Sequence, residues 1–435
     1  MNRPRWLSLE FGSRKFDDQR KIRRSICLNC RHCQTPLEKT FLDLGFAPPS
    51  NAYLSTADLA RPEKYYPLKV KVCTHCWLVQ TEDYAQAAEL FDSNYGYFSS
   101  TSSSWLDHAA HYTKVIGQRL NLNSNSYVIE IASNDGYLLK NFVESGIPCL
   151  GIEPTASTAS AAEALGIPVL REFFSEALSK QLVAEHQQAD LVIANNVYAH
   201  VPDINDFTHG LKVVLKPSGT ITIEFPHLMR LIENNQFDTI YHEHFSYLSL
   251  YAVSRIFHAA KLRIYHVEEL PTHGGSLRIY GCHAEDIRST SDSVETILLE
   301  ESNNGLQNII TYENFQKGVN NIKNDLLTFL IKKKRAGKRV VGYGAAAKGS
   351  TLLNYAGIKP DLLPLICDAA PSKQGKFMPG SHIPIVSPSV LLEEHFDYVL
   401  VLPWNLISEI KAQNPQLSTT CTKLFVAVPQ LKFIV

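Results

Sequence analysis

Glu130-Ile131-Ala132-Ser133-Asn134-Asp135-Gly136 ends an apolar strand candidate at 127–132 and opens a helix at 136–144. A doubly wound sheet binds its nucleotide at such a turn. The run lacks the G-x-G-x-x-G spacing, so alone it reads equally well as a plain strand-to-helix connection. Its weight comes from Glu153, which ends the next strand candidate, 149–153, where a carboxylate can take both ribose hydroxyls. Small residues such as Ala132 and Gly136 leave room for a sulfonium cofactor, and Asn134 and Asp135 offer polar contacts to its amino-acid end. Strand candidates at 168–170, 190–195 and 220–225 follow, alternating with helices at 157–165, 176–186 and 204–215. Asn195 and Asn196 stand at the carboxyl end of the fourth strand, beside the expected cofactor.

After a helix at 252–260, segments 262–268 and 276–282 flank Pro271-Thr272-His273-Gly274-Gly275, which predicts an antiparallel pair closing the sheet. A parallel sheet finished by a hairpin is the layout of class I methyltransferases. A polar, helical stretch at 288–335 bridges to a second α/β unit, with strands expected at 362–367, 398–402 and 424–428. That unit opens on Val340-Val341-Gly342-Tyr343-Gly344-Ala345-Ala346-Ala347-Lys348. Glycine lets backbone approach a pyrophosphate, the helix N-terminus adds partial positive charge and Lys348 a full one, so Gly344 and Lys348 are candidate phosphate contacts. The bland alternative is a glycine turn needed for packing. As a nicotinamide fingerprint the run is weak, although Asp368 lies near. His273-Gly274-Gly275-Ser276 with Arg278 forms a further Gly-rich candidate for the cleft floor.

The chain has 435 residues, enough for about three domains at roughly 150 residues each. With 42 basic and 43 acidic residues the net charge is -1, so no global field draws nucleic acid or anionic membrane. No apolar run approaches the roughly 20 residues that span a bilayer. A cytoplasmic protein with no nucleic-acid or membrane partner is expected, its oligomeric state open and a monomer compatible. Of nine cysteines, Cys149, Cys282, Cys367 and Cys421 lie in or beside apolar runs and read as buried thiols. Cys30-x-x-Cys33 and Cys73-x-x-Cys76 are different: two such turns aim four thiolates at one tetrahedral zinc ion, a closed shell with a structural role. Cys27 makes a rival pair with Cys30, and His32 and His75 are alternative ligands.

Phe237-Asp238-Thr239-Ile240-Tyr241-His242-Glu243-His244-Phe245 crowds a phenol, two imidazoles and a carboxylate into four consecutive residues. Buried, each needs a partner. A base with an orienting neighbour is the chemistry this suggests, and the spacing excludes the zinc-protease pattern of two His four apart on a helix. His200, just past the fourth strand, is either catalytic or structural. Tyr95 and Tyr97, before the first strand, read as a lid over the cofactor or as aromatic packing.

Together these pieces resemble the sugar C-methyltransferases that act on nucleotide-activated 4-keto-deoxysugars, the 3-C-methyltransferase group. The likeness runs from about Cys30 to the C-terminus. It rests on the Cys pairs, Tyr95-x-Tyr97-x-Ser99-Ser100, Glu130-x-x-x-Asn134-Asp135-Gly136, Glu153-Pro154, and Asn196 with His200. Further carriers are Tyr241-x-Glu243-His244-Phe245, His273-Gly274-Gly275 and the Gly344/Lys348 segment. Residues 1–26, polar and basic, are expected to form a disordered leader, and the resemblance implies a structural zinc in a zinc-binding domain at 27–88. It also implies an S-adenosylmethionine domain at 89–285, then a helical bridge and a nucleotide-sugar domain at 286–435. It implies Tyr95, His200, Tyr241, Glu243 and His244 as catalytic-pocket groups; the roles expected here are His244 as base, Glu243 as its orienting carboxylate, Tyr241 and His200 as donors to an enolate oxygen or sugar hydroxyls, and Tyr95 as a pocket wall. His242 stands where the family can carry an acid. Competing readings are a nicotinamide-dependent sugar oxidoreductase, an O- or N-methyltransferase, and a zinc-bearing nucleotide-sugar-binding protein.

Overall fold

The strand Val128–Ile131 is buried at all four positions, as a parallel strand covered on both faces must be. It is β4 of a computed structural model that describes residues 28–82, 98–185, 187–415 and 422–434. β4 pairs in parallel with β5, Cys149–Ile152, and with β7, Ala189–Ile193. β6, Val169–Leu170, lies outside β5, and β8, Leu215–Pro226, outside β7. Next to β8 come β11, Ser276–His283, and β10, Leu262–Leu270, each antiparallel to its neighbour. The order β10-β11-β8-β7-β4-β5-β6, with one reversed strand second from an edge, is that of the class I methyltransferase sheet. The first crossover helix begins later than the sequence suggests, at Lys140, because 133–139 form a tight turn around Gly136.

The second α/β unit is a six-stranded sheet in the order β14-β13-β12-β15-β16-β17. Its central strand β12, Val340–Tyr343, is parallel to β13, Ile366–Cys367, and to β15, Tyr398–Val401. β14, Ile385–Val386, lies outside β13, and β16, Lys423–Val426, outside β15. The last strand β17, Lys432–Ile434, runs antiparallel. The strand order reverses at β12, and sheets of this kind bind ligands outside the carboxyl ends of the strands at the reversal, here β12 and β15. The bridge is three helices, Asp292–Asn303, Ile309–Glu313 and Phe315–Arg335. The last buries Phe315, Val319, Ile322, Leu326 and Leu330, a three-to-four-residue stripe that joins one apolar core with Phe41 and Val70 from the cysteine-bearing module.

That module is itself a sheet. β1, Lys39–Ala47, β2, Tyr66–Val72, and β3, Val79–Thr81, pair antiparallel, and β3 takes a fourth strand from far along the chain, β9, Ser246–Tyr247. β9 directly follows the Tyr241–Phe245 run, which is therefore stitched into the cysteine-bearing module. Among the described residues no helix is long and apolar enough to cross a membrane.

Candidate active site at the junction of three modules

Cys30, Cys33, Cys73 and Cys76 place their sulfurs within 4.8 Å of one another. Cys30 and Cys76 lie 3.5 Å apart, as do Cys33 and Cys73. The amides of His75 and Cys76 point at the Cys73 sulfur, at 3.4 and 3.5 Å, and the Gln80 amide donates to the Cys30 sulfur at 3.2 Å. Donors aimed at sulfur favour thiolates, so the group fits zinc and fills its shell. His32 is not a ligand: its Nδ1 meets the Asn205 side chain at 2.8 Å. His75 faces Arg255. Cys27 lies outside the described residues.

Past the carboxyl ends of β4 and β7 the backbone is bent into left-handed conformations at Ala132 (φ 56°), Asn134 (φ 50°), Gly136 (φ 77°) and Asn196 (φ 54°). Strain of this kind at non-glycine residues gathers at ligand sites. A Cβ on Gly136 would come within 2.4 Å of Ile167, so the turn admits only glycine. Glu130 Oε2, Ser133 Oγ, Asp135 Oδ1, Asn195 Oδ1 and both amide atoms of Asn196 are buried with no hydrogen-bond partner among the described residues. Glu153 accepts from the backbone amides of Asn134 and Thr155, at 3.0 and 2.9 Å. Burial, reinforced by the charges of Glu153 and Asp135, pushes the Glu130 carboxyl well above its usual range. A cationic, hydrogen-bonding ligand relieves both defects, which is what S-adenosylmethionine offers.

The run from Asp238 to Phe245 is held by all three modules. Thr81 N–H donates to the Phe245 carbonyl (3.1 Å), and Phe245 N–H donates to the Ala199 carbonyl (2.8 Å). Thr351 from the C-terminal unit donates to the Ile240 carbonyl (2.8 Å). His244 is the centre: its ring lies 4.1 Å from that of Tyr241 and 4.6 Å from that of His200. Its Nδ1 meets the Thr239 carbonyl at 3.0 Å. A carbonyl can only accept, so Nδ1 carries the proton and Nε2 holds the lone pair. Burial, with the charges of His200, His273 and Lys348, drives the His244 imidazole well below its ordinary pKa. His200 is fixed in the same tautomer by the Glu243 carbonyl at 2.7 Å, and burial takes it down to about 4.

Opposite stands the C-terminal unit. Lys348 Nζ donates to Asn405 Oδ1 (2.7 Å) and sits 4.5 Å over the Trp404 ring. Trp404 donates its indole N–H to Asp238 Oδ2 (2.8 Å). Burial lowers Lys348 to about 8 and raises Asp238 to about 6, each tempered by the other's charge.

The sequence matches a zinc binding domain over residues 30–91, a methyltransferase domain over 106–267 and a C-methyltransferase C-terminal domain over 271–429. The C-methyltransferase NovU of Streptomyces niveus is 31% identical over 405 residues, 93% of this chain and 96% of that relative. The chain belongs to the C-methyltransferase family. It is an S-adenosylmethionine-dependent enzyme with a structural zinc site. A solved S-adenosylmethionine-dependent methyltransferase from Clostridium acetobutylicum covers 41% of this chain and 92% of its own, at 11% identity and a TM-score of 0.34. The magnesium protoporphyrin IX methyltransferase of Synechocystis PCC 6803 with bound cofactor covers 41% and 78%, at 12% identity and a TM-score of 0.31. The fold assignment rests on this chain's own strand order.

Within this C-methyltransferase the structure corrects four expected roles. Glu243 does not orient His244: its carboxylate accepts from Ser50 (3.1 Å to each oxygen) and Asn51 (3.2 Å), and the orienting group is the Thr239 carbonyl. His200 cannot donate to an oxyanion while neutral, because its proton already lies on the Glu243 carbonyl. Arg278 is not open to substrate, since it is 5% exposed, paired at 2.8 Å with Glu224 and stacked over Tyr112. Gly344 (φ 88°) is explained by packing, because Pro403 fills the space a Cβ would need, at 2.4 Å. The neighbouring Ala345 amide is taken by Asp368 (2.7 Å). His242 faces the Pro67 carbonyl and the Tyr66 ring, so it belongs to packing against β2. Tyr95 and Tyr97 lie outside the described residues. Sequence reading missed Ser50, Asn51, Asp238 and Trp404. Only Trp404 carried a signal, its place just past the carboxyl end of a strand at the sheet's reversal.

Proposed function

We propose that this C-methyltransferase acts on a nucleotide-activated 4-keto-deoxysugar, methylating the third carbon through an enolate. The observation that carries this reading is the His244 imidazole, its Nδ1–H held by the Thr239 carbonyl and its Nε2 left to accept a proton. A ketone acidifies the neighbouring C–H, and a neutral base in a dry pocket suits its removal. His244 Nε2 takes the proton, and Tyr241, ring against ring with His244, is placed to donate to the substrate. S-adenosylmethionine, when bound, supplies the electrophilic methyl group. Glu130, Asn134, Asp135 and Glu153 hold it on one wall, with Asn195 and Asn196 at the fourth strand. Lys348 and the carboxyl ends of β12 and β15 face the sugar nucleotide on the other.

Purified enzyme given methyl-labelled cofactor and a panel of dTDP-4-keto-deoxysugars is expected to transfer label to a ring carbon of one of them. His244→Asn is expected to lower turnover by roughly 10²–10⁴-fold while cofactor still binds. Turnover near the unsubstituted rate would remove His244 from the role.

A further inference from the structure

An enolate oxygen must be met by hydrogen-bond donors aimed at it before the charge forms. Neither central imidazole offers one. His244 and His200 each place Nδ1–H on a backbone carbonyl, so neither neutral ring has a second N–H to give. The facing wall supplies what they lack. Lys348 and Thr351, three apart on the helix Ala347–Ala356, share a face. Thr351 fixes that face against the catalytic run through the Ile240 carbonyl. Asn405 and the Trp404 ring hold the ammonium from behind. Trp404 is in turn wedged between Asp238, which accepts its N–H, and Gly274, where a Cβ would come within 2.4 Å of the indole edge. The ammonium therefore stands in the angle between the 238–241 run and the 273–274 turn. Its charge reaches His244 and His273, whose imidazoles it helps to depress.

We infer that Lys348 donates to the sugar's ketone oxygen as that oxygen becomes an enolate, a catalytic role that rests on the substrate class proposed above. His244 Nε2 takes the proton from the third carbon, and the C–H electron pair becomes the carbon–carbon π bond. The carbonyl π pair moves to oxygen, where Lys348 holds it by a hydrogen bond without giving up its proton. The alternative, a phosphate clamp, is short of loop donors, because the two amides just ahead of the helix are taken, Ala345 by Asp368 and Ala346 by the Gly344 carbonyl.

The test reads solvent exchange. Enzyme with S-adenosylhomocysteine and the accepted 4-keto sugar nucleotide in D₂O is followed by NMR for deuterium entering the third carbon, and dTDP affinity is measured in parallel. Lys348→Met is expected to slow exchange by about 10²–10³-fold with dTDP affinity within about threefold of wild type, which also shows the variant folded. Lys348→Arg, which keeps the charge, should recover part of the rate. Unchanged exchange in Lys348→Met, or a loss of dTDP affinity with normal exchange at saturation, overturns the role. Absence of exchange in the wild type overturns instead the enolate reading, and this inference with it.

Discussion

Removing the Glu243 carboxylate strands the Ser50 hydroxyl and the Asn51 amide in a buried interface. An unmade buried hydrogen bond costs about 1–3 kcal/mol. Glu243→Ala should therefore lower the thermal midpoint by several degrees, and Glu243→Gln, which keeps an acceptor, by less; scanning calorimetry decides. Acid should act through the imidazoles. His200 and His273 are each held by burial at about 4, against roughly 6.5 in an unfolded chain. The unfolded state thus binds more protons between those values, so stability rises with pH across that window and levels off above it. His244 has the same sign; Asp238, raised to about 6, opposes it, losing its contribution as pH rises through that value. The imidazoles lowered by burial, His200, His242, His244 and His273, outnumber the raised carboxyls Glu130, Asp238 and Glu243, which predicts a lower urea midpoint at pH 5 than at pH 7, and His273→Asn should flatten the slope. At this scale the cysteine pairs were legible because each is local. The Glu243 contact to Ser50, 193 residues away, was not, since nothing in either segment names the other.

The bridge shows what a single pair can do for an element. His227 and Glu301 are both fully buried and meet at 2.7 Å, and the Glu301 carboxylate also accepts from the amides of Leu250 and Tyr251. One side chain of Asp292–Asn303 thus caps the helix Leu250–Ala259. Glu301→Ala leaves a histidine and two amides unpaired and should cost about 3–5 kcal/mol in urea unfolding, with faster hydrogen exchange at Leu250 and Tyr251. The closing antiparallel pair, β10 with β11, was readable because its glycine-rich turn separates two apolar runs. Tyr66–Val72 alternates cleanly and could have been read as a strand. β1 hides its period behind two register shifts, and two-residue β9 has no period to show. The helix Ser103–Arg119, with a Ser102 cap and buried Ala109, Tyr112 and Ile116, carried a fair signal that the reading passed over.

Over the whole molecule, two doubly wound units facing a cleft were visible in the alternation of apolar runs. What no segment reveals is that the Asp238–Phe245 run is held jointly by β3, by Ala199 just past β7, and by the helix carrying Lys348. The cysteine-bearing sheet and the Tyr241–Phe245 run meet at that joint, so loss of zinc is expected to disturb both. Chelation should release the sheet β1-β2-β3-β9 and with it the Glu243 anchor, so activity should fall in step with bound zinc and return on its addition. Activity surviving full removal of zinc would separate the two. The central claim is that an imidazole at this three-way joint takes a proton from sugar carbon so that carbon, and nothing else, receives the methyl. A single turnover of a dTDP-4-keto-deoxysugar deuterated at the third carbon, with cofactor bearing a ¹³C methyl, tests it directly by NMR. The account predicts one ¹³C methyl on that carbon for each deuterium lost; a methyl on oxygen or nitrogen with the deuterium retained would contradict it.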